Sequence, residues 1–115
     1  MQEISFEVRN FLRDHIQSVW QLDLLIALMN LEEPVDPGRL ARILYSSPSA
    51  MESALHNFVK LGILKEIAGN PHKYQYAPVC NEKRRIIMET AKTYAIRRVD
   101  VINLIFSIPA KHKIR

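Results

Sequence analysis

The chain has 115 residues, of which 48% are hydrophobic and 24% charged, a composition typical of one soluble globular domain. Its longest uninterrupted apolar run, Leu24–Met29, is far shorter than the roughly 20 residues of a membrane span, so a membrane protein is excluded. The polar, acidic beginning of the chain and the single cysteine, Cys80, predict a cytoplasmic protein without a signal peptide or an internal disulfide.

The net charge of +4 is unevenly distributed along the sequence. Residues 1–46 contain four basic and seven acidic residues, residues 47–80 contain three and two, and residues 81–115 contain nine and three. The basic character therefore belongs to the C-terminal third of the chain.

Two helices are predicted at the start of the chain. Apolar residues at helical spacing predict a first helix over residues 3–15. Ser18 and Gln21 then fit a capping box, in which the serine side chain accepts from the Gln21 N–H and the glutamine side chain reaches back to residue 18. The run "LDLLIALMNL" that follows is too apolar for a surface helix, so we expect this second helix to cross the core.

Two further helix starts each combine a capping residue with a proline. Asp36 precedes a proline and predicts a short third helix over residues 37–45. Ser47 or Ser49, on either side of another proline, caps a fourth helix over residues 47–61. The inward residues of this helix are predicted to be Met51, Ala54, Leu55, Phe58, Val59 and Leu61.

A β-hairpin is predicted directly after the fourth helix. Gly62 is expected to end that helix in the left-handed conformation. The segments "ILKEIA" and "KYQYA" have strand character, and "GNPH" between them is typical of a turn. Tyr74 and Tyr76 are then predicted to lie on one face of the hairpin.

The last predicted helix begins at Asn81 and runs to about Ile108, where Pro109 stops it, with room for a bend near residues 97–100. Its second half, "VDVINLIFSI", is apolar on nearly every side, so it must bury two faces. One face needs a partner, which predicts a homodimer formed through this helix with help from the first one. The predicted interface residues are Tyr94, Val101, Ile102, Ile105 and Phe106.

This order of elements, with the segments "LDLLIAL", "DPGRLARIL", "SSPSAMESALHNFVKLGIL" and "KEIAGNPHKYQYAP", resembles the winged helix-turn-helix transcriptional regulators of the MarR and PadR kind. The chain also looks like short bacterial proteins of this build. The resemblance implies a mainly α fold with a small hairpin in a single domain. The winged-helix core would span about residues 16–78, and the outer helices 3–15 and 81–108 would serve dimerisation.

The resemblance further implies that helix 47–61 is a recognition helix for the DNA major groove and that hairpin 63–78 is a wing touching the backbone or minor groove. The implied DNA-binding residues of the recognition helix are Ser47, Ser49, Ser53, His56, Asn57 and Lys60, with Ser46 as a further phosphate contact. Those of the wing and its flank are Lys65, His72, Lys73, Lys83, Arg84 and Arg85.

The recognition helix carries little positive charge, since Lys60 is offset by Glu52. Phosphate neutralisation supplies most non-specific DNA affinity, so a second interpretation stays open. In that alternative, the same fold is a protein–protein interaction adaptor that binds no DNA. The basic cluster "NEKRRII" at residues 81–87 lies against the helix dipole and could face DNA or solvent.

No motif in the sequence predicts an enzyme, a metal or a cofactor. His15, His56, His72 and His112 are far apart, and none has a cysteine or acid at metal-ligand spacing. The chain also lacks a glycine-rich phosphate loop and a nucleophile motif. The resemblance implies double-stranded DNA as a partner, and the apolar last helix predicts a second copy of the chain, with a protein partner under the adaptor alternative.

Overall fold

The computed structural model describes residues 3–31 and 33–107, and these residues form a mainly helical fold with one two-stranded sheet. In chain order the elements are α1 (Phe6–His15), α2 (Val19–Asn30), α3 (Pro37–Leu44), α4 (Pro48–Lys60), β1 (Leu64–Ile67), β2 (Lys73–Tyr76), α5 (Asn81–Ile96) and α6 (Arg98–Ser107). Within this part of the chain, no helix combines the length and apolar character that a membrane crossing requires.

The chain divides into two compact units, and the division falls within α2 and α5. The terminal unit consists of residues 1–23 and 85–115, and its helices α1 and α6 contact each other. The winged unit consists of residues 24–84, and it contains α3, α4 and the hairpin, with α4 contacting both α3 and β1.

The predicted helix caps in the winged unit are confirmed. The Asp36 side chain accepts a hydrogen bond of 2.8 Å from the Arg39 N–H at the start of α3. Of the two serines considered for α4, Ser47 is the cap, and its Oγ accepts from the Ala50 N–H at 3.2 Å. Both caps satisfy an N–H group that has no partner inside its own helix.

The helix starts in the terminal unit differ in detail from the prediction. Helix α1 begins at Phe6 rather than at residue 3, because Ser5 caps it by accepting from the Val8 N–H. At the start of α2, the Gln21 N–H donates to Ser18 Oγ as expected. The Gln21 side chain accepts from the Gln17 N–H at 2.9 Å, one residue before the predicted partner.

Helix α4 packs through one apolar face. Its buried residues are Met51, Ala54, Leu55 and Phe58, all of them predicted to face inward. Val59 and Leu61 are only half-buried, since they lie at the margin of that face and at the C-terminal cap. The opposite face of α4 is therefore left to solvent.

The hairpin is confirmed, with Leu64 opposite Tyr76 and Ile67 opposite Lys73. Two backbone hydrogen bonds extend the ladder beyond the strands, from the Ala77 N–H to Ile63 O and from the Val79 N–H to Gly62 O. The turn between the strands contains a cis peptide bond before Pro71.

A backbone bridge adds the segment before α3 to the hairpin, and the sequence did not predict it. The Val35 N–H donates to Tyr74 O at 2.9 Å, and the Tyr74 N–H donates to Val35 O at 2.8 Å. Both residues are buried. The bridge ties the approach to α3 to the second strand.

The segment predicted as one last helix is divided at Arg97 into α5 and α6, within the region 97–100 where a bend was considered. The Arg97 guanidinium donates from Nε and Nη2 to Asp100 Oδ2, at 2.9 and 2.7 Å, across the first turn of α6. The acid in that turn also favours a helix start. The expected end at Ile108 and Pro109 lies outside the described residues.

Replacing Gly62 by alanine is expected to destabilise the protein. Gly62 has a φ of 77°, and a Cβ there would lie 3.0 Å from Val79 Cγ2. The left-handed conformation alone costs a non-glycine residue roughly 1–2 kcal/mol, and the close contact adds to this cost. Urea unfolding of Gly62→Ala measures the loss in the free energy of unfolding.

The matched control is Gly38→Ala, in α3. Gly38 has no positive φ, and its added Cβ would meet the ends of two side chains, Asp36 Oδ1 at 3.2 Å and Arg42 Nη1 at 3.9 Å. A loss of stability for Gly62→Ala that is no larger than the loss for Gly38→Ala contradicts the prediction.

Candidate nucleic-acid interface

One face of α4 is polar and open to solvent. Its exposed side chains are Ser49, Glu52, Ser53, His56 and Lys60, with Asn57 half-buried beside them. Their spacing of three and four residues places them along one side of the helix for its whole length. The sequence therefore predicted the outward face of α4 correctly, and this face presents hydrogen-bonding groups to solvent.

The two serines before α4 have different environments. Ser47 is exposed, and because its oxygen accepts the capping bond from Ala50, its hydroxyl proton is still available to a phosphate. Ser46 Oγ is buried and has no hydrogen-bond partner among the described residues. Only Ser47 is thus presented for the predicted phosphate contact.

The hairpin presents two lysines on one face. Lys65 is opposite Gln75, and Lys73 is opposite Ile67, so the strand alternation places both lysines on the same side of the hairpin. Both lysines are exposed. Tyr74 lies on the other side, so the charged face is the one turned away from this buried residue.

His72 is bound within the turn of the hairpin. Its Nδ1 lies 3.0 Å from Gly69 O, and its Nε2 lies 3.8 Å from a Glu66 carboxylate oxygen. A phosphate contact from this residue would compete with the neighbouring acid. His72 therefore carries less weight than the two lysines as a contact to DNA.

Tyr74 joins the hairpin to α4 through its side chain. Its ring centroid lies 6.3 Å from that of His56 on α4. Burial raises the pKa of the Tyr74 phenol above its ordinary value, and the negative charges of Glu66 and Glu52 raise the pKa further. Glu66 is opposite Tyr74 in the hairpin and Glu52 is on the exposed face of α4, so negative charge is present on both elements.

The start of α5 brings positive charge to the base of the hairpin. The guanidinium of Arg84 lies over the Tyr76 ring, 5.7 Å from its centroid. Burial raises the pKa of Tyr76, and the Arg84 charge partly opposes that increase. Arg84 is exposed and Lys83 half-buried, so the wing has a basic neighbour in its own unit.

Arg85, the next residue, is paired with carboxylates in the terminal unit. Its two terminal nitrogens lie 3.2 and 2.9 Å from the two carboxylate oxygens of Glu7, and Nη1 lies 3.7 Å from Glu89. The hydrogen bond from Arg85 and then its charge lower the pKa of the Glu7 carboxyl. The structure thus gives Arg85 a different partner from the predicted phosphate.

Two arginines on α3 were missed in the sequence. Arg39 and Arg42 are exposed, whereas Leu40 and Ala41 between them are buried. The signal was present in "GRLARIL", since residues three apart share one face of a helix. The charge total of residues 1–46 gives no sign of these arginines, because this segment is acidic overall.

The predicted dimer residues divide into buried and accessible ones. Tyr94, Val101 and Ile105 are at most 6% exposed within the single chain, and Ile102 is half-buried. Phe106 is 78% exposed. In the same unit, four further exposed side chains are apolar and are not among the predicted interface residues: Phe6, Met88, Ile96 and Val99.

The described residues contain no group of three or more histidine, cysteine, aspartate or glutamate side chains that could hold a metal ion. Cys80 is exposed and is not in a disulfide. Its carbonyl accepts from the Arg84 N–H at the start of α5.

Comparison with solved structures identifies the fold as a winged helix. The transcriptional regulator Tm0710 from Thermotoga maritima is similar with a TM-score of 0.57 and 17% identity, over 87% of this chain and 70% of that one. The ST1889 protein from Sulfolobus tokodaii has a TM-score of 0.58 and 20% identity, over 80% and 91%. RV1404 from Mycobacterium tuberculosis has a TM-score of 0.58 and 14% identity, over 92% and 73%.

No family model matches the sequence, and no curated protein matches it significantly. At the identities of the three structures, the similarity shows the fold alone. Membership of the MarR or PadR regulators therefore stays a prediction.

The ion pair between Arg85 and Glu7 predicts how the titration of Glu7 and the stability of the fold depend on pH. The Glu7 carboxyl should titrate below its ordinary pKa of 4.5. The pKa of Glu7 is lower in the folded state than in the unfolded state. The ion pair therefore stabilises the fold at a pH above the unfolded-state pKa, and this stabilisation is lost as the pH falls through the folded-state pKa. A carboxyl-detected NMR titration of the wild type and of Arg85→Ala measures the shift.

In Arg85→Ala the Glu7 midpoint should rise toward its ordinary value, whereas Arg13→Ala, which removes the exposed partner of Asp14, should leave it in place. A Glu7 midpoint that is the same in the wild type and in Arg85→Ala would rule out the pairing.

Proposed function

We propose that the protein binds double-stranded DNA and acts as a non-enzymatic transcriptional regulator in the cytoplasm. The observation that carries the proposal is the solvent-exposed polar face of α4 beside a hairpin with two exposed lysines. In helix-turn-helix proteins, the second helix of the motif enters the major groove. Here that helix is α4, preceded by α3. The resemblance to MarR and PadR regulators supports the same proposal.

In this proposal, α4 reads bases by hydrogen bonding. Asn57 pairs with adenine through its amide, and His56 bonds a base edge. Ser49 and Ser53 contribute hydroxyl groups that can donate or accept. Lys60 supplies the one positive charge of the exposed face of α4.

The phosphate contacts come from the neighbourhood of α4. Lys65 and Lys73 lie on the hairpin, and Lys83 and Arg84 lie at the start of α5. Arg85 is omitted from this set because Glu7 and Glu89 already compensate its charge. With carboxylates near Tyr74, we expect a modest non-specific affinity that falls as salt is added.

We further propose that the protein acts as a homodimer through the terminal unit. Phe6, Ile96, Val99 and Phe106 are between 68% and 82% exposed. Large apolar side chains exposed on the helices of one unit are typical of an association surface. A two-fold dimer presents two copies of α4, which suits a DNA site with two half-sites.

Substitution of Asn57 and of Lys73 should separate base reading from phosphate binding. On a duplex selected by the protein from a random pool, Asn57→Ala should lose about 1–3 kcal/mol of binding free energy, with little loss on unselected DNA. Lys73→Ala should weaken binding to both duplexes equally and reduce the slope of log K against log salt by about one. Fluorescence-anisotropy titrations at several salt concentrations measure both effects.

The matched controls are Asn103→Ala and Lys92→Ala, two exposed positions in the terminal unit. Both should bind as the wild type does. Equal losses in Asn57→Ala and Asn103→Ala would contradict the role of α4. A wild type that binds no duplex even at low salt would reject DNA binding and favour the protein-interaction adaptor.

The dimer should be visible by sedimentation of the purified protein. At micromolar concentration, the wild type should sediment with about twice the monomer mass of 13.3 kDa. Phe106→Lys should shift the protein toward the monomer, because the lysine would be buried without a partner. Ile43→Lys, at an exposed apolar position in α3, should leave the mass unchanged. A wild-type monomer would overturn the proposal.

A further inference from the structure

Tyr45, between α3 and α4, combines an unfavourable backbone conformation with an unused side chain. Its φ is 53° and its ψ is 49°, which places it in the left-handed helical region. Among the residues that the structure describes, no other non-glycine residue has a positive φ. Its relative exposure is 96%. A bulky residue in this conformation is strained, and an exposed ring has no packing to offset the strain.

The backbone at this position has a clear structural purpose that does not require tyrosine. The Tyr45 N–H and the Ser46 N–H both donate to Ala41 O, which ends α3 and turns the chain toward α4. Glycine, or less often asparagine, serves at such a position with little or no strain. The ring of Tyr45 is therefore not explained by the fold of the turn.

Two free cations lie on the helix that leads to Tyr45. Arg39 and Arg42 are exposed on the side of α3 opposite Leu40. Their guanidinium groups form no ion pair and no hydrogen bond with any residue in the ranges 3–31 and 33–107. Ser47, two residues after Tyr45, is exposed and presents its hydroxyl at the start of α4.

We propose that Tyr45, Arg39 and Arg42 form a contact site for the phosphodiester backbone of DNA. The inference rests on the proposed function, because the first helix of a helix-turn-helix crosses the backbone beside the groove that the second helix occupies. The Tyr45 hydroxyl donates to a phosphate oxygen, and the two guanidinium groups neutralise neighbouring phosphates. The ring conveys no base preference, so this site adds affinity without sequence specificity.

The substitution Tyr45→Gly tests the inference because its two expected effects have opposite signs. Relief of the left-handed strain should raise the midpoint of urea unfolding. Loss of the phosphate contact should at the same time weaken binding to a mixed-sequence duplex by roughly two- to tenfold. Tyr45→Phe, which keeps the ring and removes the hydroxyl, should weaken binding over the same range without the gain in stability.

The arginines are tested by the salt dependence of binding to the same mixed-sequence duplex. Arg39→Ala and Arg42→Ala should each reduce the slope of log K against log salt by about one. Arg13→Ala is the matched control, since Arg13 is an exposed helical arginine already paired with Asp14 at 3.0 Å. It should leave the slope unchanged.

The outcomes separate this inference from the proposed function. If the wild type binds the duplex while Tyr45→Gly, Tyr45→Phe and both α3 variants bind with unchanged affinity and salt slope, the inference is wrong and DNA binding stands. If Tyr45→Gly lowers the unfolding midpoint, the explanation through strain is wrong. If the wild type shows no salt-dependent duplex binding, the proposed function itself fails and the contact site fails with it.

Discussion

The arrangement of the winged unit depends on Tyr74, which holds three segments through its backbone and its ring. Its N–H and C=O both pair with Val35 before α3, and its strand position is opposite Glu66 in the hairpin. Its buried ring lies against His56 of α4. Because one residue makes all three contacts, moving the hairpin away from α4 would expose a buried ring, and moving it away from the segment before α3 would break two backbone hydrogen bonds.

The charges around this junction bear on why α4, the second helix of the helix-turn-helix, has so little positive charge. Glu66 is opposite Tyr74 in the hairpin, α4 has Glu52 and Lys60, and the other cations of the winged unit lie on the hairpin, on α3 and at the start of α5. Under the proposed function, the centre of the surface reads bases and its margin binds phosphates. Such a distribution limits non-specific affinity more than it limits recognition of a preferred site.

Local signals in the sequence predicted most of the fold. Asp36 and Ser47 cap helices through bonds to residues three positions ahead, and Gly62 adopts its left-handed conformation at a helix end. Each of these features depends on a few consecutive residues, so a single sequence contains the necessary information. The two predicted strands follow from the same kind of local pattern, whereas the division of the last helix at Arg97 was considered only as a bend.

The features that the sequence did not predict depend on contacts between distant segments. Val35 pairs with Tyr74 across 39 residues of chain, and Arg85 bonds Glu7, 78 residues away. Burial of Val101 within its own chain is also a property of the folded molecule, since an apolar helix has the same sequence pattern whether its own unit or a partner covers it. The outward residues of α4 were therefore predicted well and the contacts at its margins less well, and binding of DNA by any of these residues stays a prediction.

The separation of α4 into a packed face and an open face has a consequence for how such a protein diversifies. Met51, Leu55 and Phe58 are fixed by the core, whereas Ser49, Ser53 and His56 are exposed to solvent. Mutations at the exposed positions leave the packing of the buried face intact, so they can accumulate at little cost to folding. A duplicated copy of this chain could thus acquire a new target by drift along one helix face, and the same positions are the natural ones to randomise in a library.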